Sequence, residues 1–221
     1  VGGADPSFQG FSVTMPGKFA ALDFADEVSE RARLIGSANT LVRRDSDWFA
    51  DNTDGDGVLG ALREIDCTNA PRGRAVVVGA GGTARPALWA LSQLGVNHVT
   101  VVARSERAYD IEPLAAALGM EFVWVTFDVP NLADIAGNAD VLVSTVPSAA
   151  IESVAGYLAR APKILDVIYN PWPTPLVKAA ERGGTQAVGG LSMLLHQEVG
   201  QFEQFTGRTP DVEAMRAALP N

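Results

Sequence analysis

The chain has little of what metal, redox and nucleic-acid sites are built from. Among 221 residues there is one cysteine, Cys67, and there are two histidines, His98 and His196. A single cysteine excludes an internal disulfide, and one thiol with two imidazoles is a poor set for a structural zinc site. Basic residues are scarce too: 17 Lys and Arg against 26 Asp and Glu give a formal charge of -9 and a pI near 4.7. Phosphate-rich surfaces repel such a chain as a whole, which argues against nucleic acid or an anionic membrane as partner and leaves room for one local basic pocket. The longest apolar stretches are shorter than a membrane span, and no basic segment followed by an apolar run opens the chain. The expectation is a soluble, cytoplasmic protein without a metal, a monomer or homodimer acting on a small molecule.

What the chain does have is 47% hydrophobic residues, enough for one large core or two modest ones. Residues 11–15 read as a short buried strand, and residues 18–28 carry apolar side chains at helical spacing (Phe19, Leu22, Phe24, Ala25, Val28). Residues 38–43 and 48–50 read as strands joined by the turn-prone Arg44-Asp45-Ser46-Asp47, followed by a helix over 58–65. The polar stretch Thr68-Asn69-Ala70-Pro71-Arg72-Gly73 is the best linker candidate. Beyond it, strands are expected at 75–78, 99–102, 122–125, 141–144 and 164–167, with helices at 85–94, 106–118 and 149–159 between them. A helix at 174–182, a strand at 185–188 and helices at 191–205 and 212–218 complete the pattern. Near-continuous apolar strands alternating with helices predict an α/β fold: a Rossmann-type, doubly wound parallel sheet covered on both faces, beside a second, smaller α/β domain.

Gly79-Ala80-Gly81-Gly82-Thr83-Ala84 follows an apolar strand directly and opens a helix, the context that separates a dinucleotide-binding turn from a chance glycine cluster. The first glycine permits the tight turn, the second lets backbone approach a pyrophosphate, and Ala84 still allows close helix-to-strand packing. Unpaired N–H groups and partial positive charge at the helix start suit the phosphates. A tight turn with no nucleotide is the blander alternative. At the end of the second strand an acidic residue would bind the ribose hydroxyl of NAD, but the chain reads Ala103-Arg104-Ser105-Glu106-Arg107. Two arginines and a hydroxyl suit a 2′-phosphate, so the pattern favours NADP over NAD.

Hydride transfer between a nicotinamide and an alcohol needs a group that manages the hydroxyl proton. The Tyr-x-x-x-Lys arrangement is absent, since Pro113, Ala161 and Pro173 stand four places after Tyr109, Tyr157 and Tyr169. Zinc ligands are too few. Upstream of the turn, however, lie Ser12-Val13-Thr14-Met15-Pro16-Gly17-Lys18, then Ser37-Ala38-Asn39-Thr40-Leu41, then Asp51-Asn52-Thr53-Asp54-Gly55-Asp56-Gly57. Downstream come Tyr169-Asn170-Pro171-Trp172-Pro173-Thr174-Pro175 and Gly190-Leu191-Ser192-Met193-Leu194-Leu195-His196-Gln197. In this order, over nearly the whole chain, these segments resemble the shikimate dehydrogenase family.

The resemblance implies an NADP-dependent reduction of 3-dehydroshikimate to shikimate on the aromatic amino-acid (chorismate) pathway. It makes Lys18 and Asp54 the catalytic pair, Lys18 handling the proton at the reacting oxygen and Asp54 holding the ammonium. It gives the substrate's hydroxyls to Thr14, Asn39, Thr53, Tyr169 and Gln197, and adds Thr145, Gly190 and Met193 to the cofactor residues Gly79, Ala80, Gly81, Gly82, Thr83, Ala84, Arg104, Ser105 and Arg107. Taken singly, Lys18 reads equally as a solvated helix-start lysine, Asp54 as an N-cap, Asn39 as a structural hydrogen-bonder and Tyr169 as a packing aromatic. His196 and Cys67 read as structural.

The implied organisation is a substrate-binding domain at 1–56, an NADP-binding Rossmann domain at 57–189, and helices at 190–221 returning to the first, with hinges near 54–57 and 189–190. Family members carry an early Ser-x-Ser segment that binds the substrate carboxylate. None precedes Phe11, where Ser7 is followed by Phe8 and Gln9, and the chain opens at Val1. Either leading residues are missing or that clamp has been lost, which keeps a non-catalytic nucleotide-binding protein open beside an NAD-dependent quinate/shikimate dehydrogenase.

Overall fold

The computed structural model describes residues 5, 7–68 and 72–220. The middle of the linker candidate, Asn69, Ala70 and Pro71, lies outside them. The first unit comprises β1 (Gly10–Ser12), α1 (Lys18–Phe24), β2 (Glu27–Val28), α2 (Glu30–Ile35), β3 (Thr40–Arg44) and β4 (Asp47–Asp51). Its sheet runs β1-β3-β4-β2, with β3 antiparallel to both neighbours and β2 parallel to β4. A small core of Ala21, Ala38, Leu41, Trp48 and Ala50 sits beneath it.

The helix expected over 18–28 ends at Phe24, a correction with a tertiary cause. Ala25 is extended, Asp26 N donates to Trp48 O, and the Asp26 carboxylate accepts Trp48 N, so Glu27–Val28 pairs with β4 as a strand. Helix α2 was not expected, although its signals are local. The Ser29 side chain caps it by accepting from Ala32 N, and Gly36, at φ +79, closes it in the left-handed region.

The second unit follows from α3 (Asp54–Glu64): β5 (Gly73–Val78), α4 (Ala84–Gln93), β6 (Val96–Val102), α5 (Glu112–Ala117), β7 (Glu121–Val125), α6 (Leu132–Gly137), β8 (Val141–Ser144), α7 (Ala155–Leu158), β9 (Lys163–Asp166), α8 (Pro175–Arg182) and β10 (Gln186–Gly189). All six strands are parallel, in the order β10-β9-β8-β5-β6-β7. This is the doubly wound arrangement. The connection reverses between β7 and β8, which leaves a crevice beyond the carboxyl ends of β5 and β8. Successive β5 residues serve opposite faces: Ala75 and Val77 enter one core with α3 and α4, and Val76 and Val78 enter another with α6, α7 and α8.

Two expected helices are shorter than the pattern implied. Residues 106–118 divide into a 3-10 turn, Glu106–Ile111, and α5, because Pro113 fits only a helix's first turn. Residues 149–159 hold parts of two 3-10 turns, Ser148–Ala150 and Glu152–Val154, ahead of the one-turn α7, and α6 had not been expected. Finally α9 (Gly190–Thr206) packs along α3 and reaches β3 of the first sheet, followed by α10 (Val212–Ala217). Among the described residues no helix is long and apolar enough to cross a membrane.

Candidate active site

Lys18 opens α1 and Asp54 opens α3. Lys18 Nζ donates to Asp54 Oδ2 at 2.5 Å, with the side chains 15% and 4% exposed. Asp54 is not an N-cap. Thr53 occupies that position, without a side-chain cap bond, and the Asp54 carboxylate is committed to Lys18 and Asn39. Asn39 Nδ2 donates to Asp54 Oδ1 and to Thr53 Oγ1, at 2.9 Å each, while Asn39 Oδ1 accepts Thr53 N at 2.8 Å and the Thr40 hydroxyl at 2.7 Å. Asn52 completes the turn, accepting Asp54 N and donating to Ser37 O. Asn39 and Thr53 are buried, and Asn39, expected within a strand, lies just ahead of β3, where the turn opposite satisfies its amide.

A second set of charges flanks this turn. Arg31 Nε donates to Asp51 Oδ1 at 2.7 Å and Nη2 to Asp51 Oδ2 at 2.5 Å, while Nη1 donates to Asp56 Oδ2 at 2.5 Å. Asp51 also accepts from Ser29 Oγ, Asn52 N and Gln204 Nε2. Burial pushes the Asp51 carboxyl up, but the Arg31 and Ser29 hydrogen bonds outweigh it and hold the group below its usual range. Asp56 moves the other way: burial raises it, and Arg31 only partly compensates.

The glycine-rich turn lies beyond the carboxyl end of β5. Gly79 has φ +100, and a Cβ there would sit 2.6 Å from Thr145 Oγ1, so both backbone and space demand glycine. Thr145 Oγ1 in turn donates to Val78 O at 2.8 Å, which fixes the neighbouring strand end. Gly79, Ala80 and Gly81 line a cavity of about 320 Å³ with Ala103, Arg104, Ser105 and Arg107, closed on its apolar side by Phe127, Val146 and Pro147. Among the described residues no acidic side chain lines it. A dinucleotide with a 2′-phosphate fits this donor set: glycine backbone and the start of α4 for the pyrophosphate, exposed guanidinium groups and a hydroxyl for the ribose phosphate. Thr83 holds the N-cap position of α4, and Ala84 is fully buried beneath the turn.

The two halves of the site meet in two places. A Cβ at Gly82 would lie 3.4 Å from Met15 Sδ, so the loop carrying Thr14 and leading to Lys18 lies against the glycine-rich turn. Along α4, Arg85 Nε donates to Ile35 O at the end of α2, and one turn on Trp89 lies against Gly55, where a Cβ would be 2.5 Å from Trp89 Cε3.

The remaining expected residues are more dispersed. Thr14 is exposed, and its carbonyl accepts Gly17 N. Tyr169 is 55% exposed, on a loop tied down by Thr174 Oγ1, which donates to the buried Asp166 at 2.7 Å. Gln197 is half-buried and donates to Glu198 at 3.3 Å. Gly190 is buried against Val167 O, and Met193 packs in the core beside Gly57. His196 Nε2 pairs with Glu64 at 2.9 Å, and burial pushes the Cys67 thiol up, so both read as structural. The sequence reading passed over Arg31, Met15, Gln201 and Gln204. Gln201 Nε2 donates to Asn39 O and Thr40 Oγ1 at 3.0 Å, and Gln197, Gln201 and Gln204 stand at i, i+4 and i+7 of α9, a polar stripe that could have marked a helix face turned toward the site.

Residues 2–41 match the "Shikimate dehydrogenase substrate binding domain" and residues 190–219 the "Shikimate 5'-dehydrogenase C-terminal domain". The chain is 40% identical to the shikimate dehydrogenase (NADP(+)) of Roseobacter denitrificans, covering 96% of this chain and 78% of that one. It superimposes on the crystal structure of Mycobacterium tuberculosis shikimate dehydrogenase with a TM-score of 0.91 at 51% identity, covering 99% of this chain and 82% of that one. The quinate dehydrogenase of Corynebacterium glutamicum in complex with NAD gives 0.83 at 32% identity, covering 96% and 77%. On the matched segments, their order and their span, the chain belongs to the shikimate dehydrogenase family.

Proposed function

We propose that the protein reduces 3-dehydroshikimate reversibly to shikimate with NADPH, in the pathway to chorismate and the aromatic amino acids. The observation that carries this reading is the Lys18–Asp54 ion pair, with the loop leading into Lys18 touching the glycine-rich turn through Met15 and Gly82. A reduced nicotinamide cofactor held at the glycine-rich turn would supply the hydride. Lys18 gives a proton from Nζ to the oxygen of the ring ketone as it becomes an alcohol, and takes it back in the reverse direction. Asp54 holds the ammonium in place, and Asn39 holds Asp54. Thr14, Asn39, Thr53, Tyr169 and Gln197 bind the substrate's polar groups, a set of amides and hydroxyls matched to a polyhydroxylated ring. Arg104, Ser105 and Arg107 bind the 2′-phosphate, the glycine-rich residues Gly79, Ala80, Gly81, Gly82, Thr83 and Ala84 the pyrophosphate, and Thr145, Gly190 and Met193 the nicotinamide side.

We divide the labour as substrate binding at 1–56, cofactor binding at 57–189 and closure of the substrate side by 190–221. The reading includes a cytoplasmic enzyme, monomer or homodimer. The experiment is a spectrophotometric assay of shikimate oxidation with NADP, run beside NAD and beside quinate. Turnover with shikimate and NADP above every other pair is the expected result, and no reduced nicotinamide with any pair refutes an enzyme.

A further inference from the structure

Asp54, the carboxylate paired with Lys18, sits in a turn whose two ends are held by one side chain. Arg31 comes from α2, in the first turn of that helix, and its guanidinium reaches Asp51 at the end of β4 with two nitrogens and Asp56 in the first turn of α3 with the third. Asp51 stands three residues before Asp54 and Asp56 two after it. The planar fork of arginine fixes the angle between its partners as well as their distance, which an ammonium cannot do. Between the two aspartates, Asn52, Thr53 and Asp54 are held by hydrogen bonds with Ser37, Asn39, Thr40 and Lys18, none of which supplies a guanidinium fork. The same guanidinium lies 5.9 Å from the centre of the Trp89 ring, and that ring is packed on Gly55, next to Asp54. The hydrogen bonds of Arg31 go to Asp51 and Asp56, and the residues lining the cavity beside the glycine-rich turn do not include it.

We propose that Arg31 is a positioning residue for the reaction: by gripping Asp51 and Asp56 it fixes the turn between them, and so the angle at which Asp54 holds the Lys18 ammonium. The inference rests on Lys18 and Asp54 being the catalytic pair. A displacement of about an ångström at a reacting group costs on the order of a hundredfold in rate, so a clamp outside the contact shell is enough to matter. Substrate and cofactor affinity depend on other side chains and stay largely as they are.

The test compares Arg31→Ala, Arg31→Lys, Asp54→Asn and Arg31→Ala/Asp54→Asn in kcat, in KM for shikimate, in NADP dissociation constant and in thermal midpoint. Arg31→Ala is expected to lower kcat by about ten- to a hundredfold with NADP binding within about twofold of the parent. Millimolar guanidinium should restore much of the rate, and methylammonium should not, because only the former reproduces the fork. With Asp54 already replaced, the further loss from Arg31→Ala should shrink, the mark of two residues acting through one contact. Should Arg31→Ala fail to fold, Arg31→Lys decides: a folded enzyme of parental kcat overturns the inference. A rate loss that follows the unfolded fraction, resists guanidinium and adds independently to that of Asp54→Asn overturns it as well. An Asp54→Asn enzyme of parental rate refutes the catalytic pair itself, whereas a slow Asp54→Asn beside a parental Arg31→Ala refutes only the clamp.

Discussion

Lys18 Nζ and Asp54 Oδ2 lie 2.5 Å apart, across 36 residues of chain, at the starts of two helices from different parts of the fold. Neither residue can keep its place alone, because a buried carboxylate left without its ammonium carries an uncompensated charge. Lys18→Ala should therefore reduce kcat by about a hundred- to ten-thousandfold while leaving the NADP dissociation constant within about twofold. Steady-state kinetics with a separate titration of NADP by fluorescence checks both halves, and a Lys18→Ala enzyme of parental rate removes the lysine from the chemistry.

Arg104 lines the cavity beside the glycine-rich turn with Ser105 and Arg107, where we place the ribose phosphate. Replacing Arg104 by Ala should weaken NADP by about ten- to a hundredfold, the scale of lost hydrogen bonds to a charged group, and leave NAD nearly unchanged. Competitive titration with the two cofactors measures the ratio. Equal losses for both would move the phosphate site elsewhere.

Gly55 has no room for a side chain, since a Cβ would come within 2.5 Å of the Trp89 ring. Gly55→Ala should destabilise the protein by about 1–3 kcal/mol through overpacking and shift Trp89 fluorescence. Because the ring is displaced beside Asp54, kcat should fall too. Calorimetry and emission spectra report the two effects separately.

The Asp51 carboxyl is held below its ordinary value of 3.8, chiefly because the Arg31 and Ser29 bonds outweigh its burial. A carboxylate depressed in the folded state contributes stability above its unfolded value, and that contribution disappears as pH falls through the folded one. Asp51→Asn should thus cost about 3 kcal/mol at neutral pH, the scale for breaking a buried pair, and less at an acid pH below the unfolded value of 3.8. Urea titrations at the two pH values check the difference, and an equal loss at both would show that the charge contributes nothing.

Cys67 is buried, and burial raises its thiol above the ordinary value, so little thiolate is available in the folded protein. A chromogenic disulfide should label it slowly in buffer and rapidly in denaturing urea. Fast labelling of the native protein would place the sulfur at the surface.

The parallel sheet was legible because its strands are apolar on both faces, and β8 matches its expected bounds. The first unit was less so. Nothing local tells residues 25–28 to leave the helix of Phe19 and Leu22, since the instruction comes from Trp48, whose backbone pairs with Asp26. The site divides in the same way. Glycines and arginines at a strand end carry their chemistry in short spacings, so the cofactor side could be read directly. Arg31 gave no sign of its two aspartates, because a charged residue in a helix is ordinarily solvated and the partners lie 20 and 25 residues away. The three glutamines of α9 were visible as a stripe, but what they face is decided only by the packing of that helix on α3 and β3.

The bonds from Gln201 to Asn39 and Thr40, and from Gln204 to Asp51, span 162, 161 and 153 residues. In the order of synthesis, the strands around Asn39 and Asp51 emerge early and wait for these partners until almost the whole nucleotide-binding sheet has been made. A nascent chain stalled before Gly190 would therefore hold the glycine-rich turn and every strand of the parallel sheet, yet lack the α9 side chains that complete the hydrogen bonds of Asn39, Thr40 and Asp51.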